Sequence, residues 1–325
     1  MKSLVFAVFA CFAATAVFAY DPLKLREATA GAPLDFTVQD ANRDRALPIR
    51  VYLPVVTNAA PVVLFSHGLG GSCQNNPYLG KHWSARGYVV VFVQHPGSDE
   101  SVWRGQRPAQ IAIAMKQAAS AQNFMLRAAD IPAVLDQLER WNAQSDHALH
   151  HRLDLSRVGM SGHSFGAVTT QAVSGQSMLG SARLTDARIK AAIMMSPSVP
   201  AAGSAERAFG SVTLPWLLMT GTNDVARIGG MTIGGDLASR LGVYPALPAG
   251  DKYELVLNDA EHGAFGERAL PGEGRQQNPN HHRVILALST AFWDAFLKSD
   301  AEAKAWLNGA GPRSVMEKED RWQHK

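Results

Sequence analysis

Polar and apolar positions alternate along the chain in two distinct rhythms. Residues 34–54 show a two-residue alternation, with Phe36 and Val38 leading to a polar turn at 41–44 and a return through Ile49, Val51 and Leu53. This pattern predicts an antiparallel pair with one buried face. From Pro61 onward, short continuous apolar runs take over at 61–65, 88–93, 157–160, 189–194, 216–219 and 253–257. Unbroken Val, Ile and Leu runs of this length belong to parallel strands buried on both faces. The segments between them carry helical spacing, so the chain predicts an α/β protein: a mostly parallel twisted sheet with helices on both faces. A helical region over 109–141 places Val134, Leu135, Leu138 and Trp141 on one stripe, with Asp130 as its cap and Pro132 in the first turn. The last long helix, 281–297, carries Val284, Ile285, Leu288, Phe292, Ala295 and Phe296 at helical spacing. After Gly309 the chain turns polar, and a loose tail is expected over 311–325.

The first nineteen positions have a different character. Lys2 precedes the apolar run Leu4 to Ala10, and Val17-Phe18-Ala19 offers a small-residue exit. That is the pattern of a secretory signal peptide, predicting export to the periplasm or the medium and a mature chain starting at Tyr20. Its apolar core is too short to span a bilayer comfortably. No linker or repeat divides the chain after Ala19, so 20–310 reads as a single domain. With 46% hydrophobic and 18% charged residues and a formal net charge of +3, the composition supports a large core and points to no nucleic-acid partner. Cys11 leaves with the signal, so Cys73 remains as a lone, apolar-type cysteine with no internal disulfide to make.

The strongest chemical signal is Gly162-His163-Ser164-Phe165-Gly166, between the apolar run ending at Met160 and the helical stretch 167–173. A G-x-S-x-G sequence in a strand-to-helix turn is a nucleophile elbow: the turn is too sharp for side chains at the two glycines, and it exposes the Ser164 hydroxyl. A second glycine-rich turn, Ser66-His67-Gly68-Leu69-Gly70-Gly71, follows the first parallel strand. Backbone N–H groups there suit an oxyanion hole, where each donor is worth about 3–4 kcal/mol in the transition state. Leu69 and Phe165, the residue after the nucleophile, are the candidate donors. A dinucleotide loop is disfavoured, because Cys73 stands where the third glycine of G-x-G-x-x-G belongs.

A serine needs a base, and the base an orienting acid. His262 lies in a loop between the last apolar strand and the final helix. Chain order Ser, acid, His favours Asp224, directly after the strand 216–219, over Asp259 and Glu261, which sit too close to His262 in sequence to reach its far ring nitrogen easily. His67, His95, Trp103 and His163 fall at the same edge of the sheet and are candidate pocket residues. The region 97–130 and the glycine-rich stretch 228–235 could form a partial lid. His147, His150 and His151 lack carboxylate or cysteine neighbours at ligand spacing and read as surface histidines; neither metal nor cofactor is called for.

These motifs, with Gln94-His95-Pro96-Gly97-Ser98 and the stretch 246–253, resemble the α/β-hydrolase superfamily, and within it bacterial predicted dienelactone hydrolases similar to the platelet-activating factor acetylhydrolase family. The resemblance covers roughly residues 35–300 and implies Ser164, Asp224 and His262 as a triad, with Leu69 and Phe165 as oxyanion donors. Dienelactone hydrolases use a cysteine nucleophile where this chain has Ser164, and the acetylhydrolases close the elbow with Gly-Gly where it has Gly166-Ala167, so neither specificity carries over. The sequence thus predicts a serine carboxylic ester hydrolase for short-chain or aryl esters. Polyester, lactone and amide substrates, and a non-catalytic binding protein on the same fold, are the alternatives, and the sequence leaves oligomeric state open.

Overall fold

A computed structural model describes residues 20–25, 31–178, 184–228, 231–232, 234–267 and 278–325. Strands β1 (Leu34–Asp40) and β2 (Arg45–Tyr52) pair antiparallel, Phe36 opposite Ile49. Next along the chain are β3 (Ala60–Ser66), α1 (Pro77–Ala85), β4 (Val89–Val93), α2 (Pro108–Ala118), α3 (Ala121–Ala143), β5 (Leu153–His163) and α4 (Phe165–Val173). The second half comprises β6 (Ile189–Met195), α5 (Ala205–Phe209), β7 (Trp216–Asn223), the short ribbon β8 (Arg227–Ile228) and β9 (Met231–Thr232), α6 (Leu237–Leu241), α7 (Val243–Ala246), β10 (Lys252–Glu261), α8 (Pro279–Leu297), α9 (Ala301–Asn308) and β11 (Arg321–His324).

Nine strands form one sheet in the order β1-β2-β4-β3-β5-β6-β7-β10-β11. The six from β4 to β10 run parallel, and antiparallel strands close both flanks. Because successive side chains point to opposite faces, each apolar run feeds two cores. Val63, Phe65, Val90 and Phe92 face α1, α8 and α9, where Trp83, Trp293 and Trp306 are buried. Val62, Leu64, Val89 and Val91 face α3 and α4. A third cluster around Met194, Trp216 and Phe209 continues that side beneath α5 and α7. Every parallel strand therefore presents its carboxyl end at one rim of the sheet, the place where α/β sheets offer side chains to ligands.

Two expectations are corrected. Asp130 does not cap a helix and Pro132 is not in a first turn: both lie inside α3, whose cap is Ser120, accepting from Asn123 N–H at 3.1 Å. Pro132 removes one backbone donor and crowds the preceding turn. Arg43 reaches across from the β1–β2 turn to donate to the carbonyls of Leu126 (3.3 Å) and Ala129 (3.1 Å), on the turn that precedes the proline. Asp130 is fully buried because Arg43, Arg45 and His95 surround it at 2.8–3.0 Å. The tail over 311–325 is not loose either. Residues of β11 pair with β10, Trp322 stacks on Tyr253 at 5.6 Å, and Asp320 accepts from Asn258 N–H at 2.8 Å. The expected signal segment 1–19, and Gly229, Gly230 and Ile233 of the glycine-rich stretch, lie outside the described residues. Among the described residues, no helix is long and apolar enough to cross a membrane.

Candidate active site

Ser164 sits between the last residue of β5 and the first of α4, at φ +57° and ψ −117°. This is a region that L-residues avoid, at a cost of about 1–3 kcal/mol. The turn is tight enough that a Cβ on Gly162 would land on the Gly166 carbonyl, and one on Gly166 would land on the Ser66 carbonyl of the neighbouring strand. Glycine at these two positions therefore brings β3, β5 and α4 together and turns the Ser164 hydroxyl outward.

Two strands further along, β7 ends and the chain places Asp224 beneath the rim, fully buried. Next to it β10 runs into a 3-10 turn, His262–Phe265. These two strand ends lie so close that a Cβ on Gly221 would collide with the Ala260 carbonyl. The result is a continuous relay. Ser164 Oγ stands 2.9 Å from His262 Nε2, and His262 Nδ1 stands 2.6 Å from Asp224 Oδ1. Thr220 donates its hydroxyl to the other Asp224 oxygen at 2.8 Å.

Asp224 also meets Arg240 of α6, whose Nε lies 2.9 Å from Oδ1. Burial pushes the Asp224 carboxyl up, but the charge and hydrogen bond of His262, together with Arg240, outweigh it and hold the group well below the usual carboxylate range. An ionised Asp224 accepts the Nδ1 proton of His262, which leaves Nε2 free to accept from Ser164. Arg240 is itself buried: Nη1 donates to the carbonyls of Ser196 (2.9 Å) and Pro197 (3.1 Å), and Nη2 stands 3.4 Å from His262 Nδ1. Of the competing acids, Asp259 is exposed, with Asn223 Nδ2 at 3.3 Å from its Oδ1.

The glycine-rich turn after β3 lies alongside, and a Cβ on Gly68 would come 3.3 Å from the Ser164 Cβ. Gly70 N–H donates to Ser98 O (2.8 Å) and Gly71 N–H to Gly68 O (3.1 Å). Among the described residues, the N–H groups of Leu69 and Phe165 donate to no protein acceptor. Phe165 is the first residue of α4, where a helix has no internal partner for its N–H and carries partial positive charge.

The four candidate pocket residues separate into two pairs. Trp103, 38% exposed, donates its Nε1–H to Gly70 O at 2.7 Å and reaches the rim, with Met115 of α2 packed against the same glycine. His163 lies over His262, ring centroids 4.7 Å apart, and hydrogen-bonds through Nε2 to the His262 carbonyl at 3.1 Å. Burial, and then the neighbouring His262, push its imidazole down to about 3, so it stays neutral. His67 and His95 instead lie below the rim, 1% and 0% exposed, with both nitrogens of each ring engaged, so neither lines a pocket. Cys73 is buried and its thiol is pushed up to about 11. Among the described residues, no three His, Cys, Asp or Glu side chains gather at metal-binding distance. Sequence reasoning missed Arg240 and Arg127; each is a single basic residue in a helix, with nothing local to mark it as buried.

No protein-family model matches the chain and no curated protein matches it, so the reading of this site rests on its geometry.

Proposed function

We propose that the chain is a serine-dependent carboxylic ester hydrolase of the α/β-hydrolase fold, exported under the direction of residues 1–19. The observation that carries this reading is the unbroken contact from Ser164 Oγ through His262 to a buried Asp224, set on the carboxyl ends of the parallel strands β5, β7 and β10. Chain order Ser, Asp, His, with the serine on a strand-to-helix turn, is that of α/β hydrolases.

In the proposed reaction His262 Nε2 takes the Ser164 proton as Oγ attacks the ester carbonyl. The carbonyl oxygen becomes an anion beside the free N–H groups of Leu69 and Phe165. His262 then protonates the departing alcohol, an acyl-serine remains, and a water activated by the same imidazole releases the acid. Asp224 stays ionised throughout and stabilises the imidazolium. Short-chain and aryl esters suit a serine that is part-exposed at an open rim, with the Trp103 indole nearby. Export is read from the N-terminal pattern alone; Tyr20, where the expected mature chain begins, is buried and donates its hydroxyl to Asp294 at 2.7 Å.

The test is hydrolysis of p-nitrophenyl acetate and butyrate by the mature chain and its Ser164→Ala variant, with a serine-directed phosphonate as a mass tag. Activity lost in the variant and label on Ser164 are expected. A folded wild type that neither turns over nor takes the label overturns the proposal and favours a binding role. A panel of lactone, amide and polyester substrates then ranks the alternatives.

A further inference from the structure

Arg127, in the middle of α3, is 1% exposed and touches both segments that carry the free N–H groups. On the side of the glycine-rich turn, its Nη2 donates to the His67 carbonyl and to Ser66 Oγ (3.0 Å), and Nη1 donates to Ser98 Oγ (3.0 Å). On the side of α4, Nε donates to Thr169 Oγ1 (3.0 Å), and the guanidinium carbon stands 4.6 Å from the centroid of the Phe165 ring. Among the described residues no carboxylate touches it: Asp130 is occupied by Arg43, Arg45 and His95. Burial pushes the guanidinium down to about 9, with Asp130 and Asp99 opposing from a distance, so it remains charged at neutral pH.

A buried cation without a contact counter-charge is costly, and an apolar side chain would fill the same space at less cost. What the guanidinium adds is a rigid, planar set of donors aimed at two different elements. The consequence reaches the peptide plane that matters. With the His67 carbonyl held, the His67 ring donates from Nδ1 to Gly68 O at 2.6 Å, and its Nε2 accepts from His95 N–H at 3.1 Å, which fixes the tautomer. Gly71 N–H shares the same Gly68 oxygen. Because the peptide unit is planar and trans, holding Gly68 O fixes the opposite direction of the Leu69 N–H. The other donor belongs to Phe165, on whose ring Arg127 lies.

Resting on the esterase reading above, we infer that Arg127 is the positioning residue of the oxyanion site: a buried clamp that fixes the Leu69 turn against the start of α4, so that two N–H groups from different elements keep a constant separation. It touches no substrate and no reacting atom. It acts on the transition state alone, because ground-state ester binding asks little of that separation.

The test compares wild type, Arg127→Met and Arg127→Lys for kcat, KM and affinity for an alkyl boronic acid, which forms a tetrahedral adduct on the serine. In both variants kcat should fall by about 10²-fold, with KM within a few-fold and boronate affinity falling in proportion to kcat. Lysine keeps the charge but loses the planar fork, so it should not rescue. Thr169→Val and Ser98→Ala each remove one contact of the clamp and should give smaller losses of the same kind; they carry the test if the Arg127 variants do not fold. Unchanged kcat in a folded Arg127→Met, or in both lesser variants, overturns the inference, as does a fall in kcat with boronate affinity intact. A wild type without turnover or phosphonate label would remove the esterase reading and this inference together, whereas an active wild type beside an equally active Arg127→Met removes the inference alone.

Discussion

Replacing Asp224 by Asn separates the chemistry of the site from the stability of the fold. The side chain keeps its size and its Thr220 contact, but the amide no longer offers a charged acceptor to His262 Nδ1, 2.6 Å away. The imidazole is then free to take the tautomer whose proton sits on Nε2, facing Ser164, where it cannot act as a base. Such an exchange costs about 10⁴ in kcat, or about 5.5 kcal/mol of transition-state stabilisation at 1.36 kcal/mol per decade. The same change leaves Arg240 buried beside a neutral amide, and breaking a buried ion pair on one side costs about 3–5 kcal/mol. Arg240 keeps its three backbone carbonyls, those of Asp224, Ser196 and Pro197, so the lower end of that range is expected. Against a typical stability of about 5–15 kcal/mol the variant still folds. Adding Arg240→Met leaves those three carbonyls without their donor, so the double variant should melt lower still and recover none of the lost rate. Steady-state p-nitrophenyl acetate kinetics and calorimetry on the wild type, the single and the double variant check both halves. A folded Asp224→Asn within tenfold of wild-type kcat would refute the assignment and direct attention to Asp259 or Glu261.

Three further outcomes are expected. His95 is held down at about 4, first by burial and then by the Arg127 charge, so between the unfolded value near 6.5 and that level only the unfolded chain takes the proton. Stability should be fully present above pH 6.5 and fall below it by about 1.4 kcal/mol per pH unit for this group, with His67 acting in the same direction; a melting temperature flat from pH 7 to 4.5 would contradict this. Ending the chain after Lys318 removes β11 and exposes the edge of β10, and should lower the melting temperature and raise light scattering on heating, since an uncovered edge invites pairing between molecules. Expression with residues 1–19 intact should yield an exported chain whose intact mass begins at Tyr20, and a full-length cytoplasmic product would argue against export.

The parallel strands were legible because burial on both faces leaves an uninterrupted apolar run, as at Val89 to Val93, that survives without any knowledge of its neighbours. Ser164 and its flanking glycines were legible for a related reason: the turn imposes steric demands that only a few residues meet. What escaped was held by contacts between positions far apart in the chain. Asp130 reads as a cap from local preference alone, and only the arginines of the β1–β2 turn, some 85 residues earlier, explain why a carboxylate is buried in mid-helix. Residues 321–324 look like a polar tail because an edge strand paired on one side need not be apolar; Trp322 was the one apolar clue. Arg127 and Arg240 carry no local mark at all, since a buried guanidinium is defined by the carbonyls that surround it.

The backbone of Ser164 has a consequence for how durable this molecule can become. At φ +57° and ψ −117° the residue occupies a conformation that glycine would adopt with little penalty. Any search for heat resistance that scored survival alone would be drawn to that position and would find a tougher protein with no hydroxyl. The nucleophile of the proposed reaction thus also sits at a weak point of the architecture, and the two properties cannot be improved there together. Heat-hardening of this scaffold must come from elsewhere, such as the sheet edges, the helix ends and the exposed surface of α2, and the gain available from relaxing Ser164, about 1–3 kcal/mol, is closed to any variant that keeps the hydroxyl in place.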